Sequence, residues 1–254
     1  MELRERIMGM ETVNDYASFQ LTNNSKVRFF DGHNNTFSLT QGPPEEGGTC
    51  PMATSGEGGC LKVCYDKNLR KLYKKYAAVE DANTLKVVDA SVDRMYQVIK
   101  NTVMKWLLNG GKEKPYFRIH TGGDFFSEAY ASAWAKVIEE TSEVRFWAFT
   151  RSLFAVPILA ECKNLTLMLS CDPVNKEKML EVYSEYKEYP NVAIAWMGGS
   201  FPEEINDRAQ LDCPEVTGKI KKLKDIGACA RCRVCVDRPL KSGKTRHVRF
   251  PVHR

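Results

Sequence analysis

Long apolar runs are missing from this chain. Within its 254 residues no stretch approaches the length that spans a bilayer, so membrane embedding is not expected. The N-terminus, MELRERIMGMETVNDY, mixes acids and bases and has no apolar centre, which argues against a secretory signal. The expected compartment is the cytoplasm, where thiols stay reduced and disulfides are rare. Histidine is scarce, with four residues, whereas cysteine is not, with nine. Nine cysteines in a reducing compartment point to metal or iron–sulfur ligation more than to bridges.

Composition otherwise describes an ordinary globular protein, 43% hydrophobic and 27% charged. Charge is unevenly spread. Residues 216–254 carry twelve Lys and Arg against Asp225 and Asp237, a balance of +10, which leaves −5 for residues 1–215 of a chain that totals +5. A basic tail suggests weak docking on nucleic acid, with a solvated lysine face as the plain alternative. Interleaved aromatics are absent from it, Phe250 standing alone, which weakens any base-stacking proposal.

Strands and helices alternate through the middle of the chain. YFRIH (116–120), VRFWAFT (144–150), LTLMLS (165–170) and NVAIAWM (191–197) read as strands, with helical patterns over 127–140, 152–162 and 175–189 between them. TFSLT (36–40) reads as a first strand and residues 86–110 as a long amphipathic helix closed by Asn109 and Gly110. The pattern predicts an α/β fold: a parallel (βα) partial or full TIM-like barrel over residues 1–212, with a cysteine-rich basic extension over 213–254. The segments at the strands' carboxyl ends are polar, small or glycine-rich: TQGPPEEGGTC, TGGD, TRS, SCDP and MGGSF. Sites of parallel α/β folds collect at these ends.

The cysteines fall into two groups. Cys229, Cys232 and Cys235 form C-x2-C-x2-C, and Cys213 lies upstream; four such thiolates can close a four-iron cluster, with zinc as the alternative. Cys50, Cys60 and Cys64 sit in the glycine-rich loop 47–66 as C-x9-C-x3-C. Three cysteines on a four-iron cluster leave one iron open to a small molecule, and the loop's amides can reach its sulfurs. A zinc site completed by His33 or His120, or a fourth thiol from Cys171, are the alternatives here. On the strand-end rim, His120 is a candidate ligand or proton shuttle, or a histidine bonded under the loop. Arg151 is a candidate anion clamp, or the partner of Asp124 or Asp172. Trp134 and Trp147 read as core residues, and Trp196, just ahead of MGGS, as a core residue with the wall of a cofactor pocket as the alternative.

The cysteine loop after strand one, together with FRIHTGGDFF at strand two, resembles the radical S-adenosylmethionine enzymes. That likeness implies a (βα)6 partial barrel, a reactive cluster on Cys50, Cys60 and Cys64, and S-adenosylmethionine held by Gly122, Gly123 and Asp124. The chain has C-x9-C-x3-C for the superfamily's usual C-x3-C-x2-C, and Asp for its Glu. More closely, CPMATSGEGGCLKVCY, FRIHTGGDFFSEAYASAWAKVI, FWAFTRS and CARCRVC resemble the bacteriophage gene product 88 family, which implies a host-cytoplasmic location. The expectation is an iron–sulfur protein of radical type with one or two [4Fe-4S] clusters. The alternative is a non-catalytic iron–sulfur or zinc protein docking on nucleic acid through residues 216–254.

Overall fold

A computed structural model describes residues 17–29, 33–237 and 242–251. The N-terminal stretch 1–16, and Arg238, Lys241 and Arg254 of the basic tail, lie outside the described residues. Among the described residues six strands form one sheet: β1 (Tyr116–Ile119), β2 (Arg145–Thr150), β3 (Leu165–Cys171), β4 (Val192–Met197), β5 (Gln210–Asp212) and β6 (His247–Phe250). All pairings are parallel and the order is β1-β2-β3-β4-β6-β5. The expected α/β class is therefore observed.

The segment expected as the first strand runs beside β1 through one parallel bridge, Thr36 to Arg118. Arg118 N–H donates to Asn35 O at 2.9 Å, Thr121 N–H to Phe37 O at 3.0 Å and Leu39 N–H to Gly122 O at 3.0 Å. A closed TIM-like barrel does not form. The sheet ends on β5, and among the described residues no pairing joins β5 to the 36–40 segment. The physical reason lies on one face of the sheet, which is filled by other parts of the chain rather than by its own closure.

Side chains alternate along every long strand. Phe117, Phe146, Ala148, Leu167, Leu169 and Ile194 face a helical layer containing Trp106, Leu107, Trp134 and Ile138. Trp147, Met168, Ala193 and Ala195 face the other way, against Val27, Phe29, Val234, Val236 and Val248. Both faces are dry, which is why the strands read as continuous apolar runs. The segment expected as a separate extension packs on this second face and places β6 between β4 and β5.

The helices are α1 (Cys60–Val63), α2 (Tyr65–Leu72), α3 (Lys74–Thr84), α4 (Val92–Leu108), α5 (Glu128–Glu140), α6 (Val156–Leu159), α7 (Lys176–Tyr186) and α8 (Ala228–Cys232). Helix α4 starts six residues later than the periodicity suggests. Ser91 caps it by accepting from Arg94 N–H at 3.2 Å, and Asp89 just before it has φ of +62°. Ser127 caps α5 in the same way through Tyr130 N–H. The expected helix over 152–162 is shorter, a 3-10 turn (Leu153–Ala155) leading into α6, with Pro157 in the first turn where its missing N–H costs nothing.

Candidate metal centre

The glycine-rich cysteine loop lies across the carboxyl ends of β1, β2 and β3 and is fastened to each. Thr49 Oγ1 accepts from Asp124 N–H after β1 at 3.4 Å, and Met52 Sδ accepts from Leu153 N–H after β2 at 3.2 Å. After β3, Thr54 Oγ1 donates to Asp172 Oδ2 at 2.6 Å while accepting from Cys60 N–H at 2.8 Å. Glycine is required where the loop folds on itself: a Cβ on Gly48 would sit 2.1 Å from Gly42 O.

Backbone amides converge on the three thiols. Thr54 N–H donates to Cys60 Sγ at 3.3 Å. Burial pushes the Cys50 thiol up, and the Asp124 charge adds to this, while the Gly42 amide and the Cys64 and Cys60 neighbours complete its surroundings. Cys64 is also raised by burial, opposed by the amides of Lys67 and Asp66 at the start of α2. Cys50 and Cys64 both feel Cys60, and each of the three thiols has at least one N–H directed at it, the pattern expected where sulfur carries negative charge. Cys171 is not brought to them. Its side chain lies in the helix-side core, where burial and then Asp172 push it up to about 12, opposed by Arg151 and Lys176. His33 packs against Gly110 at the end of α4, and His120 against Tyr130, so neither histidine completes this set.

Gly122, Gly123 and Asp124 sit directly against the cysteine loop. A Cβ on Gly122 would lie 2.3 Å from Asp66 Oδ2, and one on Gly123 would lie 2.5 Å from Thr49 Oγ1. Asp124 is buried, and its carboxylate is fully engaged: Oδ1 accepts from Phe125 N–H at 2.7 Å and Thr150 Oγ1 at 2.6 Å, Oδ2 from Arg151 N–H at 2.8 Å. Burial pushes this carboxyl up to about 6 against the pull of those donors. Its side chain ties the β1 loop to the end of β2, which leaves the loop backbone as the part available to a ligand.

Arg151 pairs with Asp172 at 2.6 Å, the partner that also holds Thr54. It lines a cavity of about 350 Å³ between the cysteine loop and α7, with Met52, Thr54, Leu153, Asn175 and Met179. His120 has φ of +53° and is enclosed by Phe37, Phe125 and Tyr130, with Nε2 3.0 Å from Tyr130 Oη. Burial, helped by nearby Arg118, pushes its imidazole down to about 3. It is a neutral core histidine on the helix side of β1. Trp196 is buried in the same core.

The four C-terminal cysteines come together on the opposite face of the sheet. Cys235 is raised well above its ordinary value by burial and then by Cys229, Cys213 and Cys232. Cys229 is pushed up to about 12 by burial, which Arg118 opposes and Cys213 and Cys232 reinforce. Cys213 is raised by burial and Cys232, with the amides of Val216 and Glu215 pulling the other way. Every pair among the four is therefore within electrostatic reach. Among the described residues no three His, Cys, Asp or Glu side chains are arrayed as ligands of a single metal ion.

Sequence reasoning missed Arg118. Its guanidinium stacks 4.3 Å from the Phe149 ring and Nε donates to His120 O at 2.8 Å. Phe149 packs on the cysteine extension, and Tyr65, Cys229 and Cys235 are the ionisable neighbours of the guanidinium. Among the described residues no carboxylate pairs with it. The signal was a cation in the middle of the apolar strand YFRIH. Also missed was a polar cluster under the loop: Tyr76 Oη donates to Asp66 Oδ1 at 2.6 Å, and Arg70 holds Glu80 and Asp81, each at 2.8 Å.

The family model described as Gene product 88 matches residues 11–238. The chain belongs to the gene product 88 family. Among its relatives, the Gene 88 protein of Mycobacterium phage D29 is 32% identical over 235 residues, covering 87% of this chain and 95% of that one. The Gene 88 protein of Mycobacterium phage L5 is 33% identical over 201 residues, covering 77% and 81%. No solved structure matches. These matches bear out the likeness to the phage family and lend none to the S-adenosylmethionine likeness. As a gene product 88 protein, the chain carries both cysteine groups inside the matched residues. Among the described residues no helix is long and apolar enough to cross a membrane.

Proposed function

We propose that this gene product 88 protein is an iron–sulfur protein of radical S-adenosylmethionine-like type. Cys213, Cys229, Cys232 and Cys235 would hold one cluster, closed by four thiolates. Cys50, Cys60 and Cys64 would hold the other. A four-iron cluster on three thiolates supplies an iron open to a small molecule and an electron for its reduction. The chain's own residues then have defined tasks. The amides of Gly42, Thr54, Asp66 and Lys67 stabilise negative charge on the three sulfurs. The Gly122–Asp124 backbone, pinned by Thr150 and Arg151, borders the same loop and would orient the amine of an amino-acid-like ligand. The cavity beside Arg151 would take the rest of a bound molecule.

One observation carries the reading: Arg118, half-buried under the Phe149 ring with no carboxylate partner among the described residues, stands beside the gathered thiols. A cation partly withdrawn from water is stabilised by negative charge beside it. Neutral thiols do not provide it, and metal-bound thiolates do. The C-x2-C-x2-C spacing of Cys229, Cys232 and Cys235 is that of a four-iron cluster more than of zinc, whose structural sites more often use two separated C-x2-C pairs. The test is anaerobic purification with iron and sulfide analysis, then electron paramagnetic resonance of the reduced protein with and without S-adenosylmethionine. A spectrum unchanged by S-adenosylmethionine leaves a non-catalytic iron–sulfur protein; zinc in place of iron overturns the reading.

A further inference from the structure

The elbow between α2 and α3 carries a surface that neither cysteine group explains. Lys62, Lys67, Lys71, Lys74 and Lys75 are all exposed, and none has an acidic partner among the described residues. From residue 58 to 79 the sole acid is Asp66, which is buried beneath Tyr76 and Gly122. Arg70 is occupied by Glu80 and Asp81, so it fixes the angle between the two helices and adds nothing to the outer face. Lys67 and Lys71 lie one turn apart on α2, and Lys74 and Lys75 open α3 just beyond the joint. Beside them Tyr73, at the joint itself, is 59% exposed, and Leu72 is 72% exposed. The Tyr73 ring stacks on no other aromatic among the described residues.

We propose that this elbow is a binding surface for single-stranded nucleic acid, independent of the cluster reading. Unpaired lysines about one helical turn apart track a phosphate backbone, and an exposed aromatic ring between them stacks a base. This interleaving is what the basic segment 216–254 lacks. A lipid surface suits the elbow less well. An interfacial helix needs a continuous apolar face, whereas α2 is eight residues long and its exposed apolar groups are separated by lysines. The two helices are tied together from beneath by the Tyr76–Asp66 and Arg70–Glu80 bonds.

The test is fluorescence anisotropy of a labelled thymidine oligonucleotide of about 16 nucleotides with the full chain, titrated across salt. The wild-type protein is expected to bind, with log affinity falling linearly in log salt. In the variant carrying K67Q, K71Q, K74Q and K75Q the slope is expected to shrink by about 3, from about 0.7 per phosphate on a single strand. Y73A is expected to weaken binding by about 5- to 150-fold with the slope unchanged. Should the fourfold variant melt early, K71Q with K75Q carries the same test with about half the slope change. A comparison variant with K219Q, K221Q, K222Q and K224Q is expected to bind as the wild type does. No binding by the wild type, loss only in the comparison variant, or binding to phosphatidylserine vesicles but not to the oligonucleotide would each overturn the proposal.

Discussion

Replacing Cys235 by alanine should unfold far more of this protein than replacing Cys50. On the proposed reading, Cys235 belongs to the group that would clamp residues 213–237 onto the second face of the sheet, where they pack. Beneath and within that clamp Val27, Met168, Val234, Val236 and Val248 are all 7% exposed or less. Burying one such side chain contributes about 1.5–3 kcal/mol, so the five together are worth roughly 8–15 kcal/mol. That is the size of a whole domain's net stability, about 5–15 kcal/mol. Structural zinc, as a comparison, contributes about 10–16 kcal/mol to the folding of small domains. Cys50, by contrast, sits in a rim loop also held by Thr49, Met52 and Thr54, and no core layer depends on its thiol. Anaerobic thermal melts monitored by near-ultraviolet circular dichroism separate the two. C235A should lose its cooperative transition or melt many degrees lower, with C50A close to wild type and lacking iron only at the rim site. Equal melting of the two variants would refute the division into a clamp and a rim site.

Single residues supply further tests. R118M removes the cation beside Cys229 and Cys235, so reduction of the C-terminal site becomes harder; redox titration should place its midpoint lower than in the wild type, and an unchanged midpoint contradicts the charge pairing. G122A forces a Cβ against the Asp66 carboxylate, and this overpacking should cost about 1–3 kcal/mol in urea melts together with loss of rim-site iron. Buried His120 is held near 3 when folded and takes up protons near 6.5 when unfolded, so its contribution is present above pH 6.5 and is lost as the pH falls toward 3. The full loss is about 5 kcal/mol, and H120Q should flatten the acid limb of stability measured by denaturant melts. Glu80 runs the other way: burial first, then Asp66, push it up to about 8, so its contribution is present below pH 4.5 and fades as the pH rises through 8. E80Q should remove that alkaline decline.

The core of the sheet was legible because β3 and β4 are buried on both faces and appear as long apolar runs, with β2 nearly so. The helices were legible from their apolar periodicity, although the Ser91 cap that sets the start of α4 was not read. Strands β5 and β6 were not. QLD and HVRF are short and polar, and their pairing with each other and with β4 is set by segments far apart in sequence. HVRF was also hidden within a segment whose charge draws attention first. The open edge could not be read either, since it results from Val234 and Val236 filling the face that a closed barrel would pack with its own side chains. At the site, both cysteine groups could be named from spacing. The engagement of the Asp124 carboxylate by Thr150 and Arg151 could not, because it depends on where the β2 loop ends. Arg118 was visible as a cation in a strand, but its facing the thiols rather than solvent needed the extension folded over it. The lysines from Lys62 to Lys75 drew no reading from the sequence, because only the burial of Asp66 leaves that stretch without an exposed acid.

The most direct measurement of the central claim is the iron, zinc and acid-labile sulfide content of protein purified without oxygen, read beside its visible absorption. The account predicts a brown protein with iron and sulfide near two four-iron clusters per chain, falling to one cluster in C50A. A colourless protein carrying zinc, or no metal in either cysteine group, would contradict it.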